Sequence, residues 1–587
     1  MMSRHTSTPS RQLREAAADS RLRWLRMLFL ITIGAALTLE AQSSAPDPLV
    51  SIGGLFHSNV SSWLDCSIKD CSLKFANVKV IFSVLEITLF VIFVLWLLLV
   101  RGGRGRQRAK FDRGTLFVPL LVFAGMLALG VLNGITKGGG DSTIALWEVR
   151  GFLMMFVMYF LGGIFLTAED HINKLTWVVL ISAGILATDN IIRWWFLYHN
   201  QAISDLGYDH IDSIVLVFAA LLCVNLLLFG GTRAQVRYSV ILLPVILVAL
   251  EVMQRRAAFA ILAVGMVVLV LVILRLRPRL FWTVVLPCLF VVLLYLGAFW
   301  NTPGSLGQPS RAISSMFTPD PRDAASNYYR LVEKLNIQAN IATSPILGLG
   351  FGQQFSFYYP MPDLSFWPFW HYTPHNAVLW VWLKDGALGF AAFFWLLGRA
   401  VYDGSVALES QREHWQLVAT IRRALARRRG RPVAAEKKRP ADLPLGFDHL
   451  LRTRGERPGR RHGRSAGAQS EFAWNIPSWE RREGKTSNTA PPRGAVALFA
   501  TAICLVPMQI AFSYVDLGLT SERDLLLLGL MLGILARAQV QLRRDLGAEG
   551  RAVRKRGRPV VAPTFAADEP SAEPAGTVPS QPGTTLD

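Results

Sequence analysis

Charge is what this sequence has least of. Asp, Glu, Lys and Arg make up 17% of its 587 residues, while hydrophobic residues make up 52%. Such a length would otherwise suggest several soluble domains, but apolar runs of about twenty residues recur along the chain, and soluble domains do not carry them. Acid is the scarcer sign, with 41 acidic residues against 61 basic and a net charge of +20. In a soluble chain that excess would point to nucleic acid. Here the basic residues fall in blocks between the apolar runs, and no zinc, recombination or RNA-binding motif accompanies them. The excess therefore reads as membrane topology, and nucleic acid is not an expected partner. Cysteine is rare too, with five residues. Cys223, Cys288 and Cys504 lie in apolar runs and are expected to pack there, whereas Cys66 and Cys71 fall in an expected outer loop, where an oxidising exterior would allow a disulfide.

What is present is an alternation of apolar runs and basic clusters. The arm 1–26 carries Arg4, Arg11, Arg14, Arg21, Arg23 and Arg26, which assigns it to the cytoplasm. The first run, Met27–Leu39, is short, and "AQSSAP" after it resembles a signal-peptide end; Pro46 and Leu39 argue against cleavage, so an uncleaved helix is expected. Further runs lie near 80–100, 115–133, 150–167, 175–195, 213–230, 238–253, 257–274 and 280–299, then one ending at Arg399, one near 494–512 and one near 523–536. Basic clusters at 101–110, 233–237, 275–279, 399–494 and 543–558 then all fall on the cytoplasmic side. The expected fold is all-α, a polytopic membrane bundle of about 12 transmembrane helices with both termini cytoplasmic, because lipid admits only helices or closed barrels. The bundle fills 27–399 and 494–537, with a large external loop at 300–374. A basic cytoplasmic insert, 400–493, suits a surface helix in its first part; its remainder and the tail 538–587 read as disordered.

Charges that break the positive-inside pattern are the informative ones. "EVMQRRAAFAIL" puts Arg255 and Arg256 between two apolar runs. As one helix, residues 238–274 would reach roughly 55 Å at about 1.5 Å per residue, against about 30 Å of hydrocarbon. The run must fold into two helices with the arginines at their outer junction, since mid-span each would cost about 2.5–3.5 kcal/mol. Glu251 is placed to pair with Arg255 along the helix; anion binding is the other use for the two cations.

The polar segment beyond residue 300 adds to this. "SNYYRLVEKLNIQANIATSPILGLGFGQQF" starts as a helix bearing Arg330 and Lys334, with Arg322 just before it, and ends in a turn with Pro345, Gly348, Gly350 and Gly352 that would let backbone N–H groups approach a ligand. Pro374, His375 and Asn376 then open a new helix at the membrane surface. Arginines suit phosphate and a histidine suits proton removal from a hydroxyl. Read alone, His375 fits an interfacial histidine capping a helix better than a base.

"PHNAVLWVWLKDGALGF" resembles the His-Asn signature of the O-antigen ligase and O-antigen polymerase family, in which eight or nine mostly apolar residues lead to an acidic residue and Gly-x-x-Gly; Asp385, Gly386 and Gly389 fit, and Lys384 is a departure. The family's arginine about fifteen residues before a Pro-(x)-x-Gly-x-Gly turn matches Arg330 and Pro345, with Gly348-Leu349-Gly350 following, while its Ser-Arg-Gly hairpin is matched only loosely by Gln254 to Ala257. The resemblance covers roughly 238–398. It implies a metal-independent, membrane-embedded C-type glycosyltransferase needing no cofactor. The donor would be a glycan on polyprenyl diphosphate at the outer face of a bacterial inner membrane, and the acceptor a sugar, lipid or protein hydroxyl. Arg256 and Arg330, with Arg255 able to substitute, would hold the diphosphate; His375 would serve the acceptor hydroxyl; Gly348, Gly350 and Asn376 would line the groove. It does not separate ligase from polymerase.

Two other readings fit parts of the sequence. Asp205, Asp209, His210 and Asp212 could form a metal site on an outer loop. A multi-span transporter or flippase shares the helix count, but usually carries ionisable residues at mid-span, of which only Glu86 and Asp189 stand out. A non-enzymatic scaffold would leave the Arg330-to-Gly389 pattern unexplained.

Overall fold

The computed structural model describes residues 9–39, 74–75, 78–79, 83–101, 114–197, 212–253, 255–302, 304–315, 317–363, 369–428 and 493–537. Within them the chain is helical, apart from a two-residue antiparallel pairing of Lys74–Phe75 with Val78–Lys79. The helices are α1 (Pro9–Thr38), α2 (Val84–Arg101), α3 (Phe117–Thr136), α4 (Ser142–Phe165), α5 (Glu169–Ile192, extended by a wider turn Arg193–Leu197), α6 (Asp212–Phe229), α7 (Arg233–Met253), α8 (Arg256–Leu276), α9 (Pro278–Ala298), α10 (Gln308–Ser314), α11 (Pro321–Thr343), α12 (Ala377–Arg428), α13 (Arg493–Val515) and α14 (522–537).

Among the described residues, nine of these are long and apolar enough to cross a membrane: α3 to α9, the Ala377–Glu409 part of α12, and α13. The protein is thus a multi-pass helical membrane protein. The other expected runs are helical as well, inside α1, α2 and α14, but a count of twelve crossings and the side of the termini belong to the proposal below. The long run 238–274 does divide, with α7 ending at Met253 and α8 starting at Arg256. Cys66 and Cys71, the acids 205–210, and residues 429–492 and 538–587 lie outside the described residues.

Helices α6 and α13 form the centre of the bundle, packed on each other and flanked by α5, α7, α8 and α12. Helix α9 stands at the other extreme, with no buried residue between Leu286 and Ala298. Cys288, expected to pack, is therefore exposed, while Cys223 and Cys504 are buried. A helix with apolar residues on every side gives no sequence signal of which side is covered.

The feature that positions the site is a break in α12. At Gly386 the backbone takes φ 68° and ψ −176°, a conformation open to glycine alone. The groups freed by the break are recovered from the turn that follows α11: Leu349 N–H donates to Leu383 O (2.8 Å), Gly350 N–H to Lys384 O (3.0 Å), and Ala387 N–H to Pro345 O (2.9 Å). On its other side the turn lies against α3, where Phe351 N–H donates to Gly130 O at 3.1 Å. Gly134 makes that approach possible, since a Cβ there would sit 1.9 Å from Phe351 O. Gly386→Ala should therefore lower the melting temperature of the purified protein sharply, since its new Cβ would lie 2.0 Å from Ile346 O. Gly398→Ala, in the same helix with nothing near its Cβ position, should leave it unmoved.

Candidate functional site

Helix α11 organises the site. Asp320 caps it by accepting from Asp323 N–H at 2.8 Å, and Pro321 occupies its first turn. Four polar residues follow at three- and four-residue spacing: Tyr329, Glu333, Asn336 and Asn340. At 3.6 residues per turn they form one stripe, and each holds part of the chain that leads into α12. Asn340 exchanges two hydrogen bonds with the backbone of Ser356 (2.9 and 2.7 Å), and Asn336 does the same with Tyr359 (2.7 and 3.0 Å). Glu333 accepts from His375 twice, from the backbone N–H and from Nδ1, both at 3.1 Å.

The third hydrogen bond to Glu333 comes from the Tyr329 hydroxyl at 2.8 Å. Burial, and then the Glu333 carboxylate, raise the Tyr329 phenol, so it stays protonated and donates. Its hydroxyl lies 3.2 Å from His375 Nδ1, and its ring stands edge-on to the imidazole. With Nδ1–H directed at a buried carboxylate, the neutral imidazole keeps its basic lone pair on Nε2. His375 is half-buried. The residue after it, Asn376, caps α12: its side chain accepts from Leu379 N–H at 3.0 Å, and its carbonyl accepts from Trp380 N–H.

The arginines reach the same helix. Arg256 lies 3.3 Å from Asp323 and donates weakly to Ser315 Oγ at 3.4 Å, which ties the start of α8 to the first turn of α11. Arg255 is the residue that caps α8, without a side-chain capping bond. Arg330 lies two turns beyond Asp323 on one face of α11 and next to Glu333; it is half-buried and makes no ion pair or hydrogen bond among the described residues. Lys334 turns elsewhere, toward the Tyr514 hydroxyl at 3.4 Å. The fold thus brings Arg256, Arg330 and His375 onto one helix, in that order along its axis.

The glycines do something other than expected. Gly348 and Gly350 have positive φ, and a Cβ on either would strike Lys384 O or Gly134 Cα. Their turn's N–H groups, read from sequence as ligand-facing, are committed to Ser344 O, Leu383 O, Lys384 O and Gly130 O. Gly348 and Gly350 therefore act as spacers inside the bundle. The pairing of Glu251 with Arg255 does not form; Glu251 Oε1 is buried without a hydrogen bond. Asp212, the one described member of the loop acids, is paired with Arg523, and no cluster of metal-ligating side chains occurs among the described residues.

Charge buried in the bundle is more abundant than the sequence suggested. Lys384 and Glu148 form a wholly buried ion pair at 2.8 Å, and Glu148 also accepts from Gly352 N–H. Arg150 lies between Glu86 and Glu522 at 2.7 and 2.8 Å, and Arg193 pairs with Asp189 at 2.6 Å. Asp385 is buried with neither carboxylate oxygen hydrogen-bonded. The sequence reading began that span near residue 150, which left Glu148 ahead of it and Arg150 at its edge, whereas α4 starts at Ser142, capped by Asp141. Glu333, Tyr329 and the two asparagines were missed too; their signal was the regular polar spacing on one face.

No protein-family profile matches this chain, and neither does any curated protein.

Breaking the Lys384–Glu148 pair from one side should be costly. Lys384→Met leaves Glu148 buried without its cation and is expected to destabilise the fold by about 3–5 kcal/mol. Lys384→Met combined with Glu148→Gln, which keeps an acceptor for Gly352 N–H, should recover more than half of that loss in denaturation of the purified protein.

Proposed function

We propose that this protein is a metal-independent glycosyltransferase of the O-antigen ligase or polymerase kind, working without a cofactor in cell-surface polysaccharide biosynthesis. It transfers a glycan from polyprenyl diphosphate to an acceptor hydroxyl at the external face of a bacterial inner membrane, within a bundle of twelve spans whose termini are cytoplasmic. The observation that carries this reading is His375 fixed through Nδ1 by Glu333, with Arg330, which has no ion pair among the described residues, one turn away on the same helix. A histidine oriented by a buried carboxylate is the arrangement expected of a general base, and an unpaired arginine beside it suits an anionic leaving group. The resemblance of "PHNAVLWVWLKDGALGF" to that family's signature supports the same chemistry.

In this mechanism the acceptor oxygen attacks the anomeric carbon while His375 Nε2 takes its proton. The bond from that carbon to the diphosphate oxygen breaks with inversion, and the leaving diphosphate keeps the electron pair. Arg330 and Arg256 balance its charge; Arg256 gives up its long contact with Asp323, or shares it. Glu333 stabilises the imidazolium, and Tyr329 holds Glu333 in place. The proton then passes from His375 to water.

A second reading, a transporter or flippase of an envelope precursor, has one observation in its favour: the buried Lys384–Glu148 pair beside the broken helix α12. The two readings part in a deletion strain complemented with variants. Under glycan transfer, His375→Ala abolishes acceptor-linked glycan and leaves carrier-linked glycan on the external face. Glu333→Gln, which keeps shape but misorients the imidazole, should lower turnover by roughly 10²–10⁴-fold. Full rescue by His375→Ala, or carrier-linked glycan held on the cytoplasmic face, would favour transport instead.

A further inference from the structure

The chain between α11 and α12 is rich in aromatic residues, and most of the described ones are used internally. Phe355 is buried against Phe357, which stacks on His371 at 4.7 Å and packs on Trp370 at 5.0 Å, while Phe369 stacks on Trp147 at 4.0 Å. Tyr358 and Tyr359 are different. They are 56% and 48% exposed, and neither ring stacks on another aromatic side chain among the described residues. The backbone on either side of Tyr358 is nevertheless held, because Asn336 and Asn340, both buried, bind Tyr359 and Ser356 by two hydrogen bonds each. Two exposed aromatic rings thus stand on a main chain anchored by hydrogen bonds, so less backbone freedom is left for a ligand to remove.

Their position follows from α11. Along its axis come Asp323 with Arg256, then Arg330, then Glu333 with His375, then Asn336 with Tyr359. At about 1.5 Å per residue, Arg330 lies roughly 4.5 Å to one side of Glu333 and Asn336 roughly 4.5 Å to the other. Along that axis Glu333, the partner of the histidine, lies between Arg330 and the residue that holds the Tyr359 backbone, about 4.5 Å from each. We propose that Tyr358 and Tyr359 form a stacking platform for the acceptor, a pyranose ring whose hydroxyl is directed at His375. The assignment rests on the glycan-transfer reading and adds to it the side from which the acceptor enters. A pyranose has an apolar C–H face and a rim of hydroxyls, matched by a tyrosine's apolar ring and polar tip. The diphosphate takes the opposite, cationic side.

The competing use for exposed tyrosines beside a membrane is anchoring in the headgroup layer. Leucine separates the two, because it keeps apolar contact with lipid but offers no ring. The test uses the full chain in lipid nanodiscs, carrier-linked glycan extracted from the deletion strain as donor, and the unglycosylated envelope acceptor of that strain. Y358L/Y359L should raise the KM for acceptor by about tenfold, the scale of a lost aromatic contact, with the KM for donor unmoved. The conservative pair Y358F/Y359F should restore the acceptor KM to within about twofold of wild type. An unchanged acceptor KM in the leucine pair would overturn the platform in favour of anchoring. A rise in donor KM instead would overturn the assignment to the acceptor, and equal loss in the phenylalanine pair would overturn stacking. Activity of His375→Ala equal to wild type would remove the glycan-transfer reading and the platform with it. Loss in His375→Ala alongside an unmoved leucine pair would remove the platform alone.

Discussion

Inside a bilayer a helix cannot break unless every backbone group it releases finds a partner in the protein. The interruption of α12 at Gly386 meets that requirement through one turn, 345–352, which donates to Leu383 O and Lys384 O on one side and to Gly130 O on the other. Much else follows from this repair. Gly134, Gly348 and Gly350 are small because the turn is in backbone contact with α3 and α12. Lys384 and Glu148 are paired beneath it, with Glu148 also receiving the Gly352 N–H. The turn fixes where α11 ends, and α11 in turn fixes the histidine.

The candidate site is therefore assembled from two layers. His375 belongs to the start of a membrane helix, while the groups that orient it, Glu333 and Tyr329, belong to a helix of the polar segment above. Arg256 comes from a third place, the junction of α7 and α8, and is drawn in by Asp323. One polar stripe on one amphipathic helix collects contributions from positions far apart in the chain. Such a stripe carries little hydrophobic burial of its own, so its order depends on complete hydrogen bonding.

Much of the bundle was legible in the sequence because crossing a membrane leaves a one-dimensional record: run length, hydropathy and the placing of Arg and Lys. That record located α3 to α9, α12 and α13, and the arithmetic of helix rise required the break at Arg255. The candidate histidine was legible for a related reason, since a polar residue at the head of an apolar run is conspicuous. Partnership was not legible. Lys384 meets Glu148 across 236 residues of sequence, and each alone reads as a breach of the apolar pattern. The start of α4 at Ser142 was not legible either, because the hydropathy of its first turns is interrupted by Glu148 and Arg150, which are paired in the bundle. The glycine turn was misread because positive φ signals close approach without saying what is approached.

Helix α9 carries one more consequence. None of its residues from Leu286 to Ala298 is buried against the described residues, and it is joined to the rest at Arg277 and at the turn beyond Ala298. Its tilt is then set by the thickness of the surrounding hydrocarbon more than by side-chain packing. When detergent replaces lipid, this helix is the first place where the choice of amphiphile decides conformation. A short-chain detergent and a thick bilayer would hold the same protein in two different outlines there, with the centre built on α6 and α13 unaltered.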